Sequence, residues 1–227
     1  GHLGPSEGCF IPVASYPFYA SRAQGAYVWD VDGNRFIDYM CAYGPNVLGY
    51  GDPEVDAAAR AQLDTGNCTT LPTVQMIEFA ELLCDTIDGA DWAFFAKNGG
   101  DTTSLAMMVA RAATGRDKAI LFNGHYHGVA PWTQKLGHPG ITAADVSNNL
   151  YCPWGDLGAL RRTIEANKGQ IAILMATPYH HPIFEDNQLP ADGWWAEVRK
   201  LCTENGIVLA IDDVRAGEKL LHEVYSA

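Results

Sequence analysis

Apolar and polar residues alternate through "GAYVWDVDGNRFIDYM", residues 25–40, on either side of Asp32 and Gly33. A period of two marks a strand with one covered face, and Asp-Gly supplies the positive φ angles of a tight turn, so this stretch predicts a β-hairpin. Past "GYGDPEV" the period lengthens. Met76, Ile77, Ala80, Leu83, Cys84 and Ile87 recur at helical spacing between Pro72 and Gly89, which predicts a helix with a buried apolar face. Short apolar runs then alternate with helical ones: "WAFFA", a helix carrying Leu105, Met108, Val109 and Ala112, "KAILF", "NLYC", a helix from Leu157 to about Asn167, "IAILM", a helix through Trp194 to Cys202, and "IVLAID". Continuous apolar runs suit strands covered on both faces, and parallel neighbours need helical crossovers. The pattern predicts an α/β fold, a mainly parallel sheet sandwiched by helices, with the hairpin ahead of it. The texture changes near residue 50 and divides an N-terminal segment, residues 1–50, from an α/β domain, residues 51–227.

Composition narrows the class without altering that picture. At 227 residues and 48% hydrophobic, the chain can build a full core. No run approaches the roughly 20 apolar residues of a bilayer span, and "GHLGPSEGCF" lacks the basic and apolar regions of a signal peptide, so a soluble protein is expected. With Lys+Arg 15 against Asp+Glu 27, a formal charge of −12 and no basic cluster, no nucleic-acid partner is expected. Cys9, Cys41, Cys68, Cys84, Cys152 and Cys202 are scattered with no CxxC pair, which suggests neither a zinc site nor a disulfide framework. Reduced, mostly buried thiols suit a cytoplasmic protein.

Ligands of open α/β sheets gather beyond the carboxyl ends of the strands, so the loops that follow each strand are where chemistry is expected. After "WAFFA" comes "KNGGDTTS", in which Asn98, Gly99 and Gly100 lead into a helix. Two glycines let backbone N–H groups approach an anion and the helix N-terminus adds partial positive charge, as in a phosphate cup. The same residues also read as a glycine turn capped by Asp101 or Thr102. After "KAILF" comes "NGHYHG". His125 and His127 alone do not supply the three or four ligands of a zinc site. Tyr126, between Gly124 and Gly128, can stack on a planar ring or pack the loop against the sheet. "IVLAID" ends in Asp212 and Asp213, where a carboxylate can bind a cation, act as a base, pair with a protonated ring nitrogen or stay solvated. His180 and His181, after "IAILM", read either as lining a substrate entrance or as a surface pair.

In this order the motifs resemble the class III, fold type I, pyridoxal-phosphate (PLP) aminotransferases, in texture nearest the glutamate-1-semialdehyde aminomutase branch. The resemblance runs from about Phe18 to Gly217 and rests on "GAYVWDVDGNRFIDY", "GPNVLGYGDPEV", "KNGGDTTSLAMMVARAATGRDKAILFNGHYHG" and "IDDVRAG". It implies a pyridoxal 5'-phosphate cofactor and no metal. Asn98, Gly99 and Gly100 would form the phosphate-binding turn, Tyr126 would stack on the ring and Val214 would pack on its other face. Asp212 would be the catalytic partner of the pyridine nitrogen, His127 would orient the loop by hydrogen bonding, and Tyr43 would stand near the substrate. Residues 1–50 would belong to the small domain and residues 51–227 to an incomplete PLP-binding large domain. The implied activity moves an amino group between an amine or amino acid and a keto acid, in a homodimer. An aminomutase or racemase would use the same residues.

Some features depart from the family. Its lysine, which joins the cofactor covalently, lies further beyond the aspartate, and "EKLLHEVYSA" does not match the family's continuation. Lys219 stands too close to Asp212, among Leu220, Leu221, Val224 and Tyr225 at helical spacing. A piece of a longer enzyme is therefore expected, with a non-catalytic protein of this fold as the alternative from another class. "GPSEGCFIPVASYPF" holds no arginine for a substrate carboxylate, and Thr177 stands where the family places an acidic residue before a proline; both weaken the aminomutase reading. A nucleotide-binding protein using "NGGDTT" would lack both the P-loop lysine and the Rossmann glycine spacing.

Overall fold

The structure, a computed structural model, describes residues 19–182 and 185–215. Lys219 with its apolar neighbours, and the arginine-free stretch of residues 4–18, lie outside the described residues. The chain separates into two compact units, residues 1–71 and 72–227.

In the first unit, β1 (Ala20–Gln24), β2 (Tyr27–Asp30) and β3 (Arg35–Ile37) form an antiparallel sheet in that order, followed by α1 (Pro53–Thr65). The β2–β3 hairpin falls where the alternation places it, but its turn differs from expectation. Only Gly33 takes a positive φ, +86°, and the loop is organised by Asp30, the one residue buried among those described in this unit. Its carboxylate accepts from the backbone N–H groups of Asp32 and Asn34 and from the Asn34 amide, at 3.0, 2.8 and 2.9 Å. An acceptor that gathers three donors holds the loop without a strained angle at Asp32. Helix α1 begins where Asp52 accepts from the N–H groups of Glu54 and Val55, with Pro53 at its first position.

The second unit contains α2 (Val74–Thr86), α3 (Gly99–Thr114), β4 (Lys118–Phe122), β5 (Asn149–Cys152), α4 (Leu157–Ala166), β6 (Ile171–Ala176), α5 (Trp194–Asn205) and β7 (Val208–Ile211). The four strands pair in parallel in the order β5-β4-β6-β7. Every residue of β6 is buried, which is why it reads as an uninterrupted apolar run. Alternate residues of β4 serve opposite faces. Ile120 and Phe122 join Leu160 and Ile164 of α4 and Trp194, Trp195, Val198 and Leu201 of α5, while Ala119 and Leu121 meet Met107 and Ala110 of α3. Each fully buried Leu, Ile or Phe contributes about 1.5–3 kcal/mol. From β4 the chain crosses to β5 on one side, and β6 and β7 lie on the other, so the loops beyond β4 and β6 diverge at a topological switch point.

Four expectations need correction. "WAFFA" forms no strand: a strand persists only within a ladder, no described residue pairs with it, and Trp92 and Phe94 are exposed. Helix α2 forms with its apolar spacing, yet none of its residues is buried. Helix α3 turns Thr103, Met107 and Ala110 inward, and Met108 and Val109 are exposed. The cysteines are also divided, with Cys152 and Cys202 buried and Cys41 and Cys68 exposed, where mostly buried thiols were expected. Among the described residues no helix is long and apolar enough to cross a membrane.

Candidate functional site

Three segments meet beyond the carboxyl ends of β4, β6 and β7. The first is the start of α3. Asn98 caps it, its Oδ1 accepting from the Asp101 N–H at 3.0 Å while its Nδ2 donates to the Asp101 carboxylate at 2.8 Å, a reciprocal box that fixes the first turn. Gly99 and Gly100 open the helix beneath it. A side chain cannot be added freely here: a Cβ on Gly128, which has a φ of +111°, would lie 2.8 Å from the Gly100 Cα. The absence of side chains at Gly100 and Gly128 allows the loop after β4 to close onto the helix N-terminus.

The second segment is that loop, residues 123–128. Thr103, buried on α3, donates its hydroxyl to the His127 carbonyl at 2.7 Å and stands 3.1 Å from the Gly100 carbonyl. Loop and helix are thereby fastened. Tyr126, between two left-handed glycines, is 49% exposed, whereas the His127 ring is buried.

The third segment is the end of β7. The Asp212 N–H donates to the Ala176 carbonyl at 2.8 Å, which extends the ladder by one bond and holds the residue at the sheet edge. Its Oδ2 lies 2.9 Å from His127 Nδ1, with side-chain exposures of 11% and 2%. An ionised carboxylate only accepts, so Nδ1 donates to it, and Nε2 is buried without a hydrogen-bond partner. Val214 is exposed, and its Cγ2 lies 3.8 Å from where a Gly99 Cβ would sit.

Asn98, Gly99, Gly100, Tyr126, His127, Asp212 and Val214 thus fall within one set of adjoining loops, though they span more than a hundred positions. Tyr43 belongs to the other unit. It ends a short turn in which Cys41, Ala42 and Tyr43 take φ of +48°, +53° and +67°. Left-handed angles at non-glycine residues cost roughly 1–2 kcal/mol each, so that turn is strained.

Of the neighbours of this set, the sequence offers His180 and His181 as a substrate entrance or a surface pair, and Trp154 stands out in neither way. His180 and His181 are half-buried rather than a surface pair, and both rings stack on His125, at 5.4 and 6.2 Å. Gly124 makes room for them, since a Cβ there would lie 2.8 Å from His180 Cε1. Trp154 packs on His125 at 5.0 Å and on Trp194 at 4.5 Å. The available signal was compositional: four histidines and a tryptophan in loops that all follow strands of one sheet. Among the described residues no group of histidine, cysteine and carboxylate side chains is placed to hold a metal.

The architecture, a parallel sheet flanked by helices with its site at the carboxyl edge, matches the large domain of the fold type I PLP-dependent transferases. Residues 11–139 match the sequence profile of the class-III aminotransferases, and the chain belongs to that family. It is 43% identical over 223 residues to an aminopentol aminotransferase of Sphingopyxis macrogoltabida, covering 98% of this chain and 52% of that protein. It is 35% identical over 227 residues to a glutamate-1-semialdehyde 2,1-aminomutase of Methanococcus maripaludis, covering 94% of this chain and 53% of the relative. The FumI protein of Sphingopyxis sp. MTA144, solved in its PLP internal aldimine form, superposes with a TM-score of 0.85 at 44% identity, over 90% of this chain and 49% of that one. The chain therefore spans about half the length of the relatives it matches.

Proposed function

We propose that this chain carries most of the cofactor-binding domain of a PLP-dependent aminotransferase that moves an amino group between an amine or amino acid and a keto acid. The observation that supports this best is the buried His127–Asp212 pair at the strand ends, 2.9 Å long, beside the glycine-opened start of α3. The residues fit the group: an unencumbered helix N-terminus suits a phosphate, and a carboxylate at a strand end suits a protonated ring nitrogen. Bound there, PLP supplies an electron sink for bond cleavage at the carbon that bears the amino group.

In this reading the backbone N–H groups of Gly99 and Gly100 bind the phosphate, and Asn98 holds their turn in shape. Asp212 keeps a proton on the ring nitrogen, and His127, by donating to its Oδ2, stops the carboxylate from rotating away. Tyr126 and Val214 would cover the two faces of the ring. Amino transfer is preferred to aminomutase chemistry because Thr177 replaces an acidic residue and because identity to the aminopentol aminotransferase, 43%, exceeds that to the aminomutase, 35%. A homodimer is part of the same proposal, and light scattering of the whole protein tests it.

The decisive experiment is Asp212→Asn in the whole protein. The amide keeps the shape and loses the charge, so transfer is expected to fall by roughly two to three orders of magnitude while PLP stays bound. Unimpaired transfer would refute the assignment. Product analysis with a semialdehyde substrate separates transfer to a second molecule from rearrangement within one.

A further inference from the structure

His125 and Thr177 have no part in the roles above, yet they are held as tightly as His127 and Asp212. The Thr177 peptide N–H donates to His125 Nδ1 at 3.1 Å, and the Thr177 hydroxyl donates to the Tyr179 carbonyl at 2.8 Å. A peptide N–H can only donate, so Nδ1 is bare and the neutral ring carries its proton on Nε2. The ring is enclosed by Phe122, Trp154, His180 and His181, with centroids 5.6, 5.0, 5.4 and 6.2 Å away. On its remaining side it meets His127 edge-on, at 6.0 Å and 69°.

We infer that His125 is a positioning residue: clasped by Thr177 and packed edge-on against His127, its imidazole sets the plane of the His127 ring and hence the direction in which the Asp212 carboxylate is held. The significance of this rests on reading Asp212 as the partner of the cofactor's ring nitrogen. The His127 main chain is pinned by Thr103 and its Nδ1 by Asp212, and the edge-on His125 ring adds a third restraint, against rotation of the His127 ring off that bond. Burial, reinforced by the nearby His127, His180 and His181, pushes the His125 pKa down to about 3. The neighbour that orients His127 therefore stays uncharged, and adds no positive charge beside the His127–Asp212 pair. A charged positioner would compete for the carboxylate it helps to aim.

Imidazole nitrogen NMR on the PLP-loaded whole protein tests the inference directly. His125 is expected in the Nε2–H form with shifts unchanged across about pH 5 to 8, where an ordinary histidine changes charge. His127 is expected to show a slowly exchanging Nδ1–H. His125→Phe keeps a ring without an acceptor, and His125→Asn keeps an acceptor without a ring. Each is expected to broaden the His127 Nδ1–H signal and to weaken PLP binding about tenfold. A merely structural role would lower the melting temperature and leave that signal and the PLP affinity in place, which would overturn the inference. So would a His125 that carries its proton on Nδ1 or titrates in that interval, a result that needs no variant to fold. Should PLP fail to bind the wild-type protein, the functional reading falls, and the tautomers of the unloaded protein still decide the role of His125.

Discussion

Helices α2 and α5 both show clear apolar spacing, and they end at opposite extremes. Helix α5 buries Trp194, Trp195, Val198, Leu201 and Cys202 between the sheet and α4. Helix α2 carries Val74, Met76, Ile77, Phe79 and Leu82, and every one is exposed. Its described aromatic contact is the stacking of Phe79 on Phe95, at 5.4 Å. Periodicity makes a stripe; a neighbour of the right shape makes a core. Helix α5 enters from a loop that returns it beside β6 and β7, and α2 has no paired strand beneath it among the described residues.

That contrast can be broken or sharpened by measurement in the 227-residue chain. The largest effect belongs to α5: Leu201→Ala is expected to cost about 2–5 kcal/mol in denaturant unfolding, because it removes side-chain volume from a closed core. A loss no greater than that of an α2 variant would dissolve the contrast. Acid comes next. The unfolded chain protonates His125 near the ordinary value of 6.5, and the folded chain resists protonation until about 3, so the unfolded state binds more protons in between. Stability from this group is whole above pH 6.5 and declines below it, by at most about 1.4 kcal/mol per pH unit, levelling off near pH 3. His125→Phe should flatten that part of the pH–stability curve, and an unchanged slope would contradict the buried neutral ring.

Gly128→Ala follows, at about 1–3 kcal/mol from its left-handed φ alone. Its new Cβ would meet the Gly100 Cα at 2.8 Å, so PLP affinity should fall as well. Unchanged affinity would separate the glycine contact from the proposed phosphate site. The smallest change is Leu82→Ala on α2, expected within about 0.5 kcal/mol. A large loss there would mean that its exposed face is covered in solution.

How much of this was legible depended on whether the cause was local. The strands β4 to β7 were read from composition because a parallel strand buried on both faces cannot conceal its apolar run. The inward face of α3 is not legible in its sequence, since Met107, Met108 and Val109 offer nearly equivalent stripes and the sheet chooses among them. "WAFFA" reads as a strand and forms none, because a strand's existence depends on a partner that the run itself does not specify. In the site, the glycine cup and the acidic strand end were visible as separate motifs, and the resemblance joined them. The His127–Asp212 bond spans 85 positions and the Thr177–His125 bond 52, and no spacing rule reaches so far. Thr177 was noted as a departure from the family, but its service to His125 became apparent only once β6 lay beside β4.

The hydroxyl of Thr103 ties two tasks that chemistry would otherwise keep apart. It roots the carbonyl of His127 in the first turn of α3, so the helix that would grip the cofactor's anionic tail also carries the strut that braces its heterocyclic head. A tug at either end is transmitted through a single side chain, and the distance between the two anchorages becomes a property of one rigid rod rather than of two independent loops.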